Sequence, residues 1–225
     1  MKYKTCVSVA ESTPDKTKKT LKIALSKSDY AEVRFDFLKK EQIPKTLEMI
    51  KKDLSRTVCT LRPKTEGGKF SGNEKERIAI LKLIAEYNPF LLDVEFNALR
   101  KNTDLAKYLK STKTELLVSW HDFKKTPSSS ELKKKMNQMS KFSSNVKIVC
   151  TAKSTDDSTR MLELYSKKGK NSLISFAMGD YGKISRILCL YLGSPYTYVS
   201  LGKAVAPGQF SVDEVKKITN LKKHS

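Results

Sequence analysis

Short runs of β-forming residues alternate with helical patterns along the whole chain, and this alternation limits the possible folds more than any other feature. Eight such runs occur, each followed by a loop and then by a segment with helical spacing of apolar residues. The runs are Thr5–Val9, Ala31–Asp36, Thr57–Arg62, Phe90–Phe96, Glu115–His121, Val146–Thr151, Ser172–Met178 and Tyr196–Leu201. Eight strand–helix units in 225 residues predict an α/β protein, a (β/α)8 TIM barrel in which residues 1–225 form one catalytic domain. A doubly wound open sheet is the alternative architecture.

Helices are expected in the segments between the runs. The clearest helical patterns are Lys16–Ser26, Pro44–Leu54, Asn73–Tyr87 and Ser158–Lys168. Near the end of the chain, Ser211-x-x-Glu214 has the form of a capping box, in which each residue satisfies a backbone N–H of the other at a helix start. This motif predicts the beginning of the last helix.

Several runs have one apolar face and one polar face, because successive residues of a strand point to opposite sides. The polar faces carry these side chains: Ser8, Glu32, Arg34, Asp36, Asp93, Glu95, Ser119, His121, Lys147 and Ser200. Charged groups are costly to bury unless they are paired. A barrel solves this problem, since its outer face packs on helices and its inward polar groups meet at the C-terminal mouth, where barrel enzymes have their active sites. A sheet with its polar face in water is the alternative.

Lys147 is the most informative single residue, because it lies inside the apolar sequence Val-Lys-Ile-Val of the sixth run. A lysine that attacks a carbonyl must be neutral, and burial together with neighbouring cations favours the neutral amine. Arg34 and Arg62 are predicted to supply that positive field. We therefore expect Lys147 to form a Schiff base with a carbonyl substrate. The alternative is a structural lysine paired with Glu95 or Asp93.

His121 ends the fifth run and is the candidate for proton transfer near neutral pH. A hydrogen-bonded structural histidine is the alternative. The other histidine, His224, lies next to the C-terminus and is expected to be solvated. One inward histidine and four widely spaced cysteines form no ligand cluster, so the sequence predicts no metal site.

Two glycine-containing loops follow strands, and glycines there allow close approach of the backbone to a ligand. The first follows the third run at residues 62–68, and the second follows the eighth run at residues 206–209. Glu66 in the first loop and Gln209 in the second are expected near the mouth of the barrel.

The chain is strongly basic, with 44 Lys and Arg residues against 24 Asp and Glu residues and a formal charge of +20. The lysines are spread over all amphipathic segments, which is typical of a solvated surface rather than of specific nucleic-acid recognition. No apolar run approaches the length of a membrane span. Four cysteines without disulfide or metal spacing are typical of thiols in the reducing cytoplasm.

Six short motifs occur in order and on the predicted strands and loops. They are Glu32-Val33-Arg34, Arg62-x-x-x-Glu66-Gly67-Gly68, Ser119-x-His121-Asp122-Phe123-x-x-Thr126-Pro127, Lys147-Ile148, Gly182-x-Ile184-Ser185-Arg186 and Ala206-Pro207-Gly208-Gln209. In this combination the chain resembles the type I 3-dehydroquinate dehydratase family, from about Ser8 to Gln209.

The resemblance implies a (β/α)8 barrel that acts as a homodimer in the cytoplasm, in the shikimate pathway of aromatic amino-acid biosynthesis, without a cofactor. It implies that Lys147 forms an imine with the C3 ketone of 3-dehydroquinate. His121 then removes the C2 proton and protonates the departing C1 hydroxyl, and Glu66 orients His121.

The resemblance also assigns residues that bind the substrate. Glu32, Arg34 and Arg62 are expected to bind its hydroxyl groups. Arg186 and Gln209 are expected to bind its carboxylate, and Ser8 to contact it from the first strand.

One position departs from the family pattern. Val205 stands where the family commonly has serine, so one hydrogen bond to the substrate is expected to be absent. We therefore predict an effect on affinity rather than on the chemistry at Lys147.

Two other classes of protein remain possible on the residues alone. A class I aldolase or transaldolase also uses a barrel lysine as an imine, but it requires a phosphate site after the seventh and eighth strands. Asp180 would repel a phosphate there, and Arg186 with Gln209 suits a carboxylate better. A basic nucleic-acid-binding protein is the less favoured alternative.

Overall fold

The computed structural model describes residues 3–202, 204–206 and 208–220 of the chain. Within these residues one eight-stranded parallel sheet has the spatial order β7-β6-β5-β4-β3-β2-β1-β8. The strands are β1 (Thr5–Val9), β2 (Tyr30–Arg34), β3 (Thr57–Thr60), β4 (Leu91–Glu95), β5 (Leu116–Asp122), β6 (Asn145–Thr151), β7 (Ser172–Met178) and β8 (Thr197–Val199). Because β8 pairs with β1, the sheet curves into a nearly closed barrel, and the predicted (β/α)8 fold is confirmed.

Helices surround the barrel and connect its strands. They are α1 (Pro14–Lys27), α2 (Ile43–Ile50), α3 (Glu74–Glu86), α4 (Phe96–Lys101), α5 (Thr103–Ser111), α6 (Ser129–Met139), α7 (Thr155–Glu163), α8 (Ser185–Tyr191) and α9 (Val212–Asn220). Short 3-10 segments occupy Phe35–Phe37, Lys40–Gln42, Lys51–Arg56, Lys64–Glu66, Leu164–Lys167 and Asp180–Gly182.

Side-chain caps explain where several helices begin. At α9, the Ser211 backbone N–H donates to Glu214 (2.7 Å), and the Glu214 N–H donates to the Ser211 hydroxyl (3.2 Å), so the predicted capping box is confirmed. Helix α7 begins at Thr155, three residues before the predicted start, because the Ser154 hydroxyl accepts from the Asp157 N–H (3.3 Å). Such caps satisfy backbone donors that a helix start leaves without a partner.

The buried apolar residues form two clusters separated by the sheet. The larger cluster lies between the strands and the helices, and includes Val118, Ile148 and Cys150. The smaller cluster fills the barrel interior. It consists of Cys6, Val58, Leu91, Leu117, Val149, Ile174, Phe176, Tyr196 and Tyr198. The predicted alternation of faces is therefore confirmed, and it directs the inward polar residues toward one end of the barrel.

The second run is shorter than predicted. Strand β2 ends at Arg34, and a 3-10 turn begins at Phe35. In this turn Asp36 accepts two hydrogen bonds from the Arg34 guanidinium (2.7 and 2.8 Å) and one from the Lys69 backbone N–H (3.0 Å). The turn thus holds Arg34 at the rim of the barrel.

Candidate active site

A cavity of about 170 Å3 opens at the C-terminal ends of the strands. All nine residues predicted for the site line it: Ser8, Glu32, Arg34, Arg62, Glu66, His121, Lys147, Arg186 and Gln209. They come from strands β1, β2, β5 and β6, from the loops after β3 and β8, and from helix α8. The barrel therefore brings together residues that are up to 201 positions apart in sequence.

Lys147 is buried at the floor of the cavity and is paired with carboxylates. Its Nζ lies 3.2 Å from Asp93 Oδ2 and 3.8 Å from Glu32 Oε1. The strand register places Lys147 beside Ser119, and Ser119 beside Glu95. The Lys147 ammonium nevertheless pairs with Asp93, which lies one inward-facing layer further into the barrel than Glu95. The structure thus contains one of the two ion pairs that the sequence left open, the pair with Asp93.

The positive field expected around Lys147 is largely neutralised within the protein. Arg34 forms its two hydrogen bonds to Asp36 and lies 5.2 Å from the centre of the Phe37 ring. Arg62 also pairs with carboxylates. The Lys147 nitrogen is thus paired with carboxylates rather than placed in a surplus of cations.

Arg62 connects the floor of the cavity to its wall. Its guanidinium lies 2.6 Å from Asp93 Oδ2 and 2.7 Å from Glu95 Oε1, and it also donates to the Ser119 hydroxyl (2.7 Å). Burial opposes ionisation of Asp93, but Arg62 and Lys147 hold the pKa of this carboxyl well below its usual range. The Asp93 carboxylate is consequently charged and fixes both basic groups in position.

His121 lies one inward layer above Lys147 on the neighbouring strand, and its Nδ1 is 3.1 Å from Glu66 Oε2. Burial, with the cations Arg62 and Lys147, holds the pKa of His121 well below its usual range. Burial also raises the pKa of Glu66 to about 7, and its other oxygen accepts from Asn97 (3.4 Å). The imidazole is therefore neutral near pH 7, and its Nε2 is available as a base when Nδ1 carries the proton.

Arg186 and Gln209 lie at the opposite side of the cavity from the glutamate–histidine pair. The Arg186 guanidinium is buried 4.4 Å from the centre of the Phe176 ring, and burial lowers its pKa to about 10, so it is charged at pH 7. Gln209 donates to the Ser8 hydroxyl (3.2 Å) and accepts from the Val205 N–H (2.9 Å). These groups provide a cation and hydrogen-bond donors for an anionic ligand.

The glycines after β3 allow the chain to pack on itself. Gly67 has φ +76°, and a Cβ there would lie 2.6 Å from the Phe123 ring. A Cβ on Gly68 would lie 2.0 Å from the Arg62 carbonyl oxygen. The close approach expected of Gly68 is thus to the backbone of Arg62 rather than to a ligand. Pro207 of the second predicted loop lies outside the described residues.

Apart from Val205, the apolar lining of the cavity was given no role by the sequence. This lining consists of Gly67, Phe123, Val149, Phe176, Met178, Tyr198, Val205 and Ala206. Tyr198 has the same parity as Ser200 in the eighth run, so parity alone could have placed it inward. Asp93 was predicted to point inward. Its position between Arg62 and Lys147 was not predicted, because it depends on the directions of the three side chains.

The described residues offer neither a metal site nor a helix that spans a membrane. No group of three or more His, Cys, Asp or Glu side chains there could hold a metal ion. None of the helices in residues 3–202 or 208–220 is long and apolar enough to cross a membrane. The four cysteines are free and buried, three on strands and Cys189 on α8.

Barrel enzymes carry their active sites at the C-terminal end of the sheet. The cavity with its lysine, histidine and arginines lies there, so fold and site together define an enzyme of the (β/α)8 class. The sequence matches the family model for type I 3-dehydroquinase over residues 5–225. The chain belongs to this family. Membership decides against the aldolase and nucleic-acid-binding alternatives.

Comparisons with individual proteins agree with this assignment. The 3-dehydroquinate dehydratase of Methanocaldococcus jannaschii is 34% identical over 225 residues, covering 96% of this chain and 97% of that protein. The enzyme of that name from Dehalococcoides mccartyi is 37% identical over 166 residues, covering 72% and 73% of the two chains. The crystal structure of 3-dehydroquinate dehydratase from Aquifex aeolicus has a TM-score of 0.80 and 27% identity, covering 98% of this chain and 99% of that one.

Proposed function

We propose that the protein converts 3-dehydroquinate to 3-dehydroshikimate and water in the shikimate pathway, through an imine on Lys147 with His121 as general acid and base. One observation carries this proposal: a buried lysine, a neutral histidine and a buried arginine line the same cavity. The amine of Lys147 attacks the C3 ketone, water leaves, and a protonated imine remains. The positive nitrogen then withdraws electrons and acidifies the C2 proton.

In this proposal His121 transfers one proton in two steps. Its Nε2 removes the C2 proton, and the resulting imidazolium returns this proton to the C1 hydroxyl, which leaves as water. The low pKa of His121 supports the first step, because the base form is present at neutral pH. Glu66, 3.1 Å from Nδ1, holds the ring and stabilises the transient imidazolium. Hydrolysis of the product imine restores Lys147.

The remaining site residues bind the substrate in this proposal. Arg186 and Gln209 hold the carboxylate, Arg186 because a planar guanidinium matches a carboxylate in geometry and charge. Ser8 contributes a hydroxyl beside Gln209. The hydroxyl groups of the substrate are bound by Glu32, Arg34 and Arg62, and all steps proceed without a cofactor.

Product formation by matched variants tests the assigned roles. Lys147→Ala should lower kcat by at least ~1000-fold, because Lys147 carries the one amine among the described residues that line the cavity, and His121→Ala should lower it by about 100- to 10,000-fold. Lys153 follows the same strand but is exposed, so Lys153→Ala is the control and should retain full activity. A Lys147→Ala variant with a tenth of the normal kcat would contradict the proposal.

We also propose that residues 1–225 act as one catalytic domain in a cytoplasmic homodimer. Four buried free thiols suit a reducing compartment. Leu188 of α8 and the two residues that flank this helix, Ile184 and Leu192, are apolar side chains at four-residue spacing with exposed fractions of 41%, 54% and 46%. Light scattering should give a dimer, and Leu188→Glu should give a monomer. A monomeric wild type at assay concentration would contradict this assembly.

A further inference from the structure

The mechanism above leaves one residue in contact with Lys147 unused. Tyr198 of β8 is buried in the barrel interior, and Lys147 Nζ lies 4.2 Å from the centre of its ring. This distance is well within the ~6 Å at which an aromatic face attracts a cation. The Tyr196 ring packs edge-on at 5.4 Å and 78° and thereby fixes the orientation of Tyr198.

The other groups around the Lys147 nitrogen act through charge or through its hydrogens. Asp93 accepts a hydrogen bond from the Lys147 ammonium, and Glu32 forms a longer ion pair with it. Arg62, His121 and the Cys6 thiol are ionisable groups of the described residues that also lie near Lys147, Asp93 or Glu32. Tyr198 differs from all of them, because an aromatic face attracts positive charge without requiring an N–H donor.

Imine formation changes which of these contacts can persist. An ammonium has three N–H donors, whereas a protonated imine has one, since two hydrogens leave with the oxygen as water. The nitrogen therefore cannot donate to both Asp93 and Glu32 after the reaction. The attraction to the ring of Tyr198 does not depend on these donors and remains.

We propose that Tyr198 is a catalytic residue whose ring face stabilises the positive charge on the Lys147 nitrogen, in the resting ammonium and in the protonated imine. The inference rests on the proposed imine mechanism. In the resting enzyme the ring attracts the Lys147 ammonium at 4.2 Å. In the covalent complex it favours the charged imine, the electron-withdrawing form, over the uncharged addition intermediate.

Two measurements on Tyr198→Leu test this role, and the two measured quantities should change in opposite directions. Carbamylation of Lys147 by potassium cyanate in the free enzyme requires the neutral amine and should become about tenfold faster. Borohydride trapping during turnover reports the protonated imine and should give about tenfold less adduct on Lys147. Tenfold corresponds to about 1.4 kcal/mol, which is within the range of cation–π interactions at desolvated sites. Loss of packing alone would also expose Lys147 to cyanate, so a comparison of Tyr198→Phe with trifluorophenylalanine at position 198, which both keep the shape of the ring, assigns the changes to charge.

Matched variants separate the ring from the hydroxyl and from general packing. Tyr198→Phe keeps the ring and removes a buried hydroxyl that has no hydrogen-bond partner in the described residues, so both measurements should stay within about twofold of wild type. Phe176→Leu removes an aromatic of the same cavity that faces Arg186 instead, and should leave carbamylation of Lys147 unchanged. If Tyr198→Leu does not fold, trifluorophenylalanine at position 198 keeps the shape, weakens the negative ring face, and should reproduce both changes relative to Tyr198→Phe.

The results also distinguish the two proposals. If wild type gives no borohydride adduct, the imine mechanism fails, and the catalytic role of Tyr198 fails with it. If wild type gives the adduct but Tyr198→Leu, or its trifluorophenylalanine substitute, traps the same amount and reacts with cyanate at the same rate, only the role of Tyr198 is refuted.

Discussion

Replacing Arg186 should make the enzyme much less active. Burial lowers the pKa of the Arg186 guanidinium from 12.5 to about 10. Because pH 7 is below both values, the guanidinium is charged at pH 7 and can attract an anionic group of the substrate. Arg186→Met keeps a side chain of similar length and removes this charge.

The expected loss is in substrate binding. Removing one partner of a buried charged pair costs about 2 to 5 kcal/mol in binding, so kcat/KM should fall by at least ~30-fold, chiefly through KM. Steady-state kinetics at pH 7 measure the change. Arg160 of α7 is half-buried outside the cavity and pairs with Asp157, so Arg160→Met is the control and should leave KM unchanged. An Arg186→Met variant with a normal KM would refute the reasoning, because Arg186 would then be structural rather than a group that binds the substrate.

Three further predictions concern the acid–base pair and the loop after β8. The pKa of Glu66 is about 7 and its carboxylate stabilises the imidazolium, so kcat/KM should decline on the acid side from about pH 7. Glu66→Gln should move the onset of this decline to lower pH, because the lowered pKa of His121 then limits the rate; an unchanged pH profile in Glu66→Gln would be inconsistent with this assignment. Glu66→Gln removes a charge-assisted hydrogen bond of about 1.5 to 3 kcal/mol to the imidazolium, so steady-state kinetics should show kcat lowered about 10- to 150-fold with little change in KM, and an unchanged kcat would argue against the role of Glu66. Val205 lines the cavity while its N–H positions Gln209, so Val205→Ser should lower KM modestly and keep kcat nearly intact, whereas a collapse of kcat would refute that account.

The strands and their faces were predictable because they depend on local alternation. The ends of β1 and β7 match the predicted runs, and Lys147 and His121 point inward as parity requires. The end of β2 was not predictable in this way, since it depends on a side-chain interaction between Arg34 and Asp36 in the turn that follows. Alternation of residue types contains no information about such a turn.

The pairing of the charged groups also lies beyond the sequence pattern. Asp93 and Glu95 have the same parity, and the register would place Lys147 level with Glu95. Glu95 is instead bound by Arg62 and by Arg77 of helix α3, 2.6 Å away. Because lysine and arginine side chains reach across a layer of the barrel, the partner is decided by competition among all nearby charges. The sequence identifies the competing groups but not the outcome.

The central claim is that Lys147 forms a covalent imine, and trapping it is the most direct test. The wild-type protein is incubated with 3-dehydroquinate and borohydride, and intact-mass spectrometry is followed by peptide mapping. We expect one reduced adduct located on Lys147, absent from Lys147→Ala and present on Lys153→Ala. Folded, active wild-type protein that forms 3-dehydroshikimate without any adduct, or with the adduct on another lysine, would contradict the account.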